Sequence, residues 1–206
     1  MIRSIVVFIS FTIFTFQFLL AQKFVVSCPM GADRQLPPDE IKLTKIGDFG
    51  HPRKARSGIP AHLHSGIDIR RPQPNYDNEP VFTIYSGWVI SLRNDGPFAQ
   101  IIIEHQFPDG QKFWSAYEHV AGIRVEVGDT VSPENPIARF MNKGELDRFG
   151  WQFDHLHLEI LKIPPRLIIP KDNRPQRCFM TYNLECYSWE DLEKYYYNPV
   201  EFMRRY

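Results

Sequence analysis

Residues 154–160 read DHLHLEI, a run in which Leu156, Leu158 and Ile160 alternate with His155, His157 and Glu159. Side chains two apart in a β-strand share a face, so this segment predicts a strand with one apolar face for a core and one face bearing two imidazoles. Glu159 follows on the polar face, where it either orients an imidazole or ends the strand as a solvated carboxylate. The tripeptide His-Leu-His also stands at 62–64, inside HLHSGIDIR (62–70), in a chain with only seven histidines. His64 and Asp68 lie four apart, and Gly66, Ile67 and Ile69 disfavour a helix between them.

Outward from these two segments the chain reads as short strands. VFTIYSGWVISL, AQIIIEH, KFWSAYEHV, IRVEVGDTV and PIARFM are rich in β-branched and aromatic residues and are separated by the turn signals NDGP, PDG and SPENP. This pattern predicts a mainly β, antiparallel fold. The one helical expectation is SWEDLEKYYY, capped by Ser188 or Asp191 and stopped at Asn198-Pro199. No tandem repeat or low-complexity linker divides the 206 residues, which suit a single domain. Lys and Arg (24) balance Asp and Glu (24) without a dense basic run, which argues against nucleic acid as a partner.

The first 22 residues place Arg3 before a charge-free apolar stretch ending at Ala21-Gln22. They read as a secretory signal peptide or as an uncleaved N-terminal anchor that would tether the protein to a membrane. Residues 23–45 follow as a lead-in, and 46–206 as the domain proper. Export to the periplasm or cell envelope favours disulfides, and Cys178 and Cys186 are near enough in sequence to close a small loop. Cys28, in VVSC, would then be free, acylated or intermolecular.

Zinc sites that catalyse hydrolysis take three His or carboxylate ligands and leave a fourth position for water. His64, Asp68 and one histidine of the second tripeptide supply such a set. His119, in YEHV, brings the candidate groups to five: His64, Asp68, His119, His155 and His157.

In this spacing and order the chain resembles the lysostaphin-like (LytM-type) zinc metalloendopeptidases, bacterial peptidoglycan hydrolases, over roughly residues 46–161 and again at the end. IGDFGHPR resembles the opening strand and turn of that family, HSGIDI its His-x-x-x-Asp motif, and NEPVFTIYSGWVISL the following hairpin. YEHV resembles its Tyr-x-His-Leu strand, VEVGDTVSPENPIARF its Gly-Asp turn, HLHLEI its His-x-His strand and NPVEFM its closing segment. The resemblance implies an antiparallel β-sheet groove with a short C-terminal helix. It also implies one zinc ion on His64, Asp68 and His157, with His119 and His155 as the catalytic pair and peptidoglycan as the partner. The implied reaction is hydrolysis of wall peptide cross-links through a metal-activated water. His62, His51 and His105 match no catalytic position, and Tyr117 either contacts substrate or packs.

Two departures bear on specificity. NKGELDRFGWQFD replaces the glycine- and threonine-rich stretch that precedes His-x-His in the family, and about 162–197 form an insertion. An upstream asparagine holds some members latent, but no Asn precedes Asn75 here. The alternative to an enzyme is a non-catalytic wall-binding regulator of another hydrolase; such proteins commonly lack a metal ligand, and none is lacking here. A zinc peptidase acting on a protein substrate is a third reading.

Overall fold

The principal sheet is built from seven strands: β1 (Ile67–Arg70), β2 (Gly87–Arg93), β3 (Gln100–Gln106), β4 (Lys112–Glu118), β5 (Thr130–Val131), β6 (His155–Leu161) and β7 (Tyr196–Tyr197). Their order is β7-β6-β4-β3-β2-β5, with every pairing antiparallel. β1 adds to β6 along His155–Leu158, while β7 pairs with its far end at Ile160 and Leu161. A smaller sheet joins Pro80–Phe82, Pro136–Phe140 and Val120–Ala121. The computed structural model describes residues 24–31 and 37–206. The expected leader at 1–22 lies outside them, and among the described residues no helix is long and apolar enough to cross a membrane.

The fold is mainly β and antiparallel, as the strand-rich sequence predicts, and the alternation in β6 sorts the two faces. On one face, Ile67, Ile69, Leu156, Leu158, Ile160, Ile101, Ile103, Phe113 and Tyr117 pack into the main core. Burying each such isoleucine or leucine contributes about 1.5–3 kcal/mol relative to leaving it in water. Segment 24–31 joins this core through Cys28 and Met30, and Ser27 donates its N–H to the Ile84 carbonyl at 2.8 Å.

The opposite face is divided. Toward one end, Ile102, Trp114, Ala116 and Leu161 are covered by the insertion, whose Cys186, Leu192 and Tyr196 pack onto them. Toward the other end the same face carries Asp68, His157 and Glu118, which line a cleft, and beyond them the buried Gln100 and the half-buried Arg93. The insertion is stitched to β2 at Ser91, whose hydroxyl accepts from the N–H groups of Cys178 (3.1 Å) and Phe179 (3.0 Å).

Among the described residues three short α-helices are present where the sequence predicts one. α2 (Trp189–Tyr195) is the expected helix, with Ser188 and Asp191 forming a reciprocal capping box. α1 (Lys143–Phe149) starts on a second capping box, Asn142 with Glu145, which Gly144 and the two-turn length conceal from periodicity. Asn198-Pro199 does end α2's segment, but Asn198 also caps a new helix, α3 (Pro199–Arg205), because proline is compatible with a first helical position. The expected Cys178–Cys186 bridge is absent. Cys178 lies at the β2 edge, and the buried Cys186 thiol turns toward the Tyr182 carbonyl at 3.6 Å.

Candidate metal centre and cleft

The centre depends on how closely β1 approaches β6. A Cβ on Gly66 would lie 2.3 Å from the Leu158 carbonyl oxygen, so only glycine lets the His64–Gly66 turn lie against that strand. The β1–β6 register then sets Asp68 directly opposite His157, and directly opposed residues share a face. His64 enters from the turn. Three ligand atoms converge: His64 Nε2 to His157 Nδ1 is 3.0 Å, His157 Nδ1 to Asp68 Oδ1 is 2.9 Å, and His64 Nε2 to Asp68 Oδ1 is 3.0 Å.

The partners behind these atoms set their proton states. His64 Nδ1 donates to the Asp48 carbonyl at 3.0 Å, and His157 Nε2 donates to Glu159 Oε1 at 3.1 Å. In the neutral imidazoles, His64 Nε2 and His157 Nδ1 are therefore lone pairs, and they face the Asp68 carboxylate. Three acceptors at such separations repel unless a proton or a cation lies among them. Burial pulls the His157 imidazole down, yet its bonds to Asp68 and Glu159 outweigh that and push it up to about 10. Burial raises Asp68, but hydrogen bonds from His157 and His64 hold it far below the usual carboxylate range. A zinc ion with ligands at about 2.0–2.1 Å keeps tetrahedral neighbours about 3.3 Å apart, so the triangle fits after expanding by a few tenths of an ångström.

Glu159 proves to be wholly buried rather than solvated, and it accepts from Ser65 Oγ at 2.6 Å as well as from His157. The other Asp68 oxygen is held by Arg53 Nη2 at 2.7 Å. Sequence reasoning missed Arg53. It lies fifteen residues before Asp68 in a two-residue strand, Pro52–Arg53, and no local pattern points to it.

His119 and His155 stand beside the triangle, with ring centroids 4.7 Å apart at 76°. His155 Nε2 is 3.5 Å from Asp68 Oδ1, and the His119 ring is 6.3 Å from that of His157. His119 has φ 65°, the one left-handed non-glycine among the described residues, a conformation that concentrates at functional sites. It turns the chain after β4, so Tyr117 and His119 do not share a face as strict alternation predicts. Tyr117 is in the core, its hydroxyl accepting from the Ile84 N–H at 2.8 Å, which leaves packing as its role. His119 Nδ1 donates to the Pro97 carbonyl at 2.5 Å, leaving Nε2 as a lone pair. Burial, with His155 nearby, pulls the His119 imidazole down to about 3, and burial lowers His155 also. Both rings are neutral near pH 7.

These groups line an open cleft of about 550 Å³ whose walls include Phe98, Phe153, Gln152, Asn183 and Leu184. Glu118 lies in its floor; burial pushes its carboxyl up to about 7, and Gln100 donates to it at 2.9 Å. His62 is at the rim, bonded to the Pro60 carbonyl, and contributes no ligand to the triangle. His105 is fully buried between the Ser86 carbonyl and the Ser115 hydroxyl, well away from the cleft lining.

The sequence profile described as Peptidase family M23 matches residues 62–171. No curated protein matches the chain. Among solved structures, lysostaphin is similar at 19% identity and TM-score 0.48, over 82% of this chain and 52% of its own. A zinc-containing peptidase from Vibrio cholerae is similar at 24% identity and TM-score 0.43, over 65% of this chain and 37% of that one. The catalytic domain of the prophage-encoded M23 protein EnpA from Enterococcus faecalis is similar at 21% identity and TM-score 0.40, over 69% and 88%. The chain thus spans about a third of the Vibrio cholerae peptidase and about half of lysostaphin.

Proposed function

The chain belongs to peptidase family M23, and from that premise we propose that it is an exported zinc endopeptidase that hydrolyses peptide cross-links of bacterial peptidoglycan. The observation that carries this reading is the convergence of three ligand atoms, from His64, Asp68 and His157, beside two neutral imidazoles in an open cleft. Those three residues would hold the zinc ion. When bound, zinc supplies a Lewis acid and lowers the pKa of a coordinated water to about 7.

The remaining chemistry falls to the protein. His119 presents an unprotonated Nε2, fixed by its bond to Pro97, and accepts the proton of the attacking water. Neutral His155, at the edge of the same ring pair, donates to the oxyanion that develops on the scissile carbonyl. Arg53 keeps one Asp68 oxygen occupied, so the carboxylate offers the other to the metal.

Zinc content and release of peptide fragments from sacculi test this assignment. His157→Ala is expected to lose both; His155→Ala and His119→Ala are expected to keep zinc and lose at least ~100-fold in kcat. Full activity in metal-free His157→Ala protein, or sacculus binding without fragment release by the zinc-loaded wild type, overturns it.

A further inference from the structure

Two segments that carry cations into the cleft are fastened to Asp68. The Thr44 N–H donates to the Asp68 carbonyl and the Asp68 N–H to the Gly47 carbonyl, both at 2.9 Å, so the turn bearing Lys45 lies against the backbone of that ligand. Residues 52–63 form a hairpin: Pro52 pairs with Leu63 and Arg53 with His62, and Arg56 and Ile59 exchange two backbone bonds of 2.9 Å around Ser57-Gly58. Its base is fixed twice, by Arg53 on the Asp68 carboxylate at 2.7 Å and by the Leu63 N–H on the Cys186 carbonyl, also at 2.7 Å. The hairpin thus rises from the Asp68 side of the ligand triangle and brings Lys54 and Arg56 with it. Lys45, Lys54 and Arg56 all line the cleft, and all three are exposed to solvent.

Their charges are uncompensated. Of the four cations in the cleft lining, Arg53 is committed to Asp68, whereas Lys45, Lys54 and Arg56 have no ion pair among the described residues. The lining holds two carboxylates: Asp68, engaged by Arg53 and by the ligand histidines, and Glu118, buried in the floor and bonded by Gln100. Around His119 the lining is uncharged instead. Phe153 and Phe98 stand 5.0 and 6.1 Å from its ring, with Gln152 next to Phe153. The cleft is therefore polarised, cationic toward Asp68 and aromatic toward His119, in a chain whose basic and acidic residues balance at 24 each. Exposed, unpaired cations do little for folding, but a concave wall of one sign concentrates and orients a ligand of the other.

We propose that Lys45, Lys54 and Arg56 form a substrate-selecting wall that receives a free carboxylate of the peptide lying in the cleft, close to the bond to be cut. The proposal rests on the peptidase reading and narrows it: cross-linked peptides that bear carboxylates are the preferred substrates, and amidated peptides or uncharged glycine bridges are poor ones. The wall is part of the cleft that takes the peptide, so the anion it meets belongs to that peptide.

The test uses one synthetic cross-linked stem-peptide dimer in two forms, with its carboxylates free and with them amidated, at low salt, where exposed charges are least screened. Kinetics of the zinc-loaded wild type read kcat and KM, and calorimetry on zinc-loaded His155→Ala protein reads binding without turnover. The free form is expected to bind about tenfold more tightly, with the difference in KM rather than kcat, and the gap is expected to close as salt rises. Lys45→Gln, Lys54→Gln and Arg56→Gln together are expected to bring the ratio to about one by weakening the free form alone. Lys143→Gln, Lys171→Gln and Arg205→Gln together remove the same charge at exposed positions outside the cleft lining and are expected to keep the preference. Equal affinity of the wild type for both forms, a preference that survives the wall variant, a wall variant that weakens both forms alike, or loss of the preference in the distant variant overturns the proposal. A preference that the wall variant abolishes, without cleavage of either form by the wild type, supports the wall and defeats the hydrolase reading. Cleavage of both forms with the same KM does the reverse.

Discussion

Glu159 Oε1 stands 3.1 Å from His157 Nε2, and the carboxylate that carries it is sealed from solvent. The pair fixes which nitrogen of His157 faces the other ligands, and it makes that nitrogen more basic. Glu159→Gln keeps the volume and removes the charge. It is expected to weaken zinc binding about 10- to 100-fold, read by chelator competition, with a far smaller change in thermal stability of the zinc-free protein. Unchanged zinc affinity sinks the assignment of Glu159 as the orienting group.

Arg53 does the corresponding work for Asp68 from the other side, at 2.7 Å. Arg53→Met frees Oδ2 to swing toward the ligand triangle, and kcat is expected to fall at least ~10-fold. Arg53→Lys is expected to recover only part of it, because a point charge does not reproduce the planar fork. Full recovery by lysine means that charge alone matters.

His105 offers a stability prediction away from the ligands. Burial pulls its imidazole down to about 4 from the usual 6.5, so between those values the unfolded chain binds the proton and the native protein does not. Stability from this group is complete above about pH 6.5 and is lost as pH falls toward 4, by about 3 kcal/mol in total. Urea unfolding of zinc-free wild type and His105→Gln at pH 7 and pH 4.5 isolates the effect. The wild type is expected to lose about 2 kcal/mol more than the variant, and equal losses dispose of the prediction.

Gly66→Ala inserts a methyl group against the Leu158 carbonyl, 2.3 Å away, where backbone and not a flexible side chain must yield. More than about 3 kcal/mol of destabilisation is expected, with loss of stoichiometric zinc. Near-wild-type metal content in a folded Gly66→Ala protein contradicts the tight β1–β6 contact.

Much of this centre was legible because β-strand alternation is local. Leu156 and Leu158 went to the core and His155 and His157 to the cleft as a period of two requires, and family resemblance brought His64, Asp68 and His119 beside them. What stayed hidden was set by contacts across the sheet or by backbone conformation. Nothing near Arg53 announces that it meets Asp68. Strict alternation misplaced Tyr117 relative to His119 because a left-handed residue follows β4. The short helices α1 and α3 escaped periodicity, although the capping residues Asn142 and Asn198 were there to be read. Nearness in sequence made Cys178 and Cys186 look like partners, yet one is anchored at the edge of β2 and the other is packed beneath α2.

In β6, His157 is flanked on both sides, by β1 and by β4, whereas His155 is flanked by β1 alone. The insertion is anchored more widely, through Cys186, Leu192 and Tyr196 packed on the sheet and through bonds at Ser91 and Leu92. Warming should therefore loosen β6 at His155 before it frees His157, so that the activity of the proposed peptidase fades at temperatures where the ligand residues still hold their places.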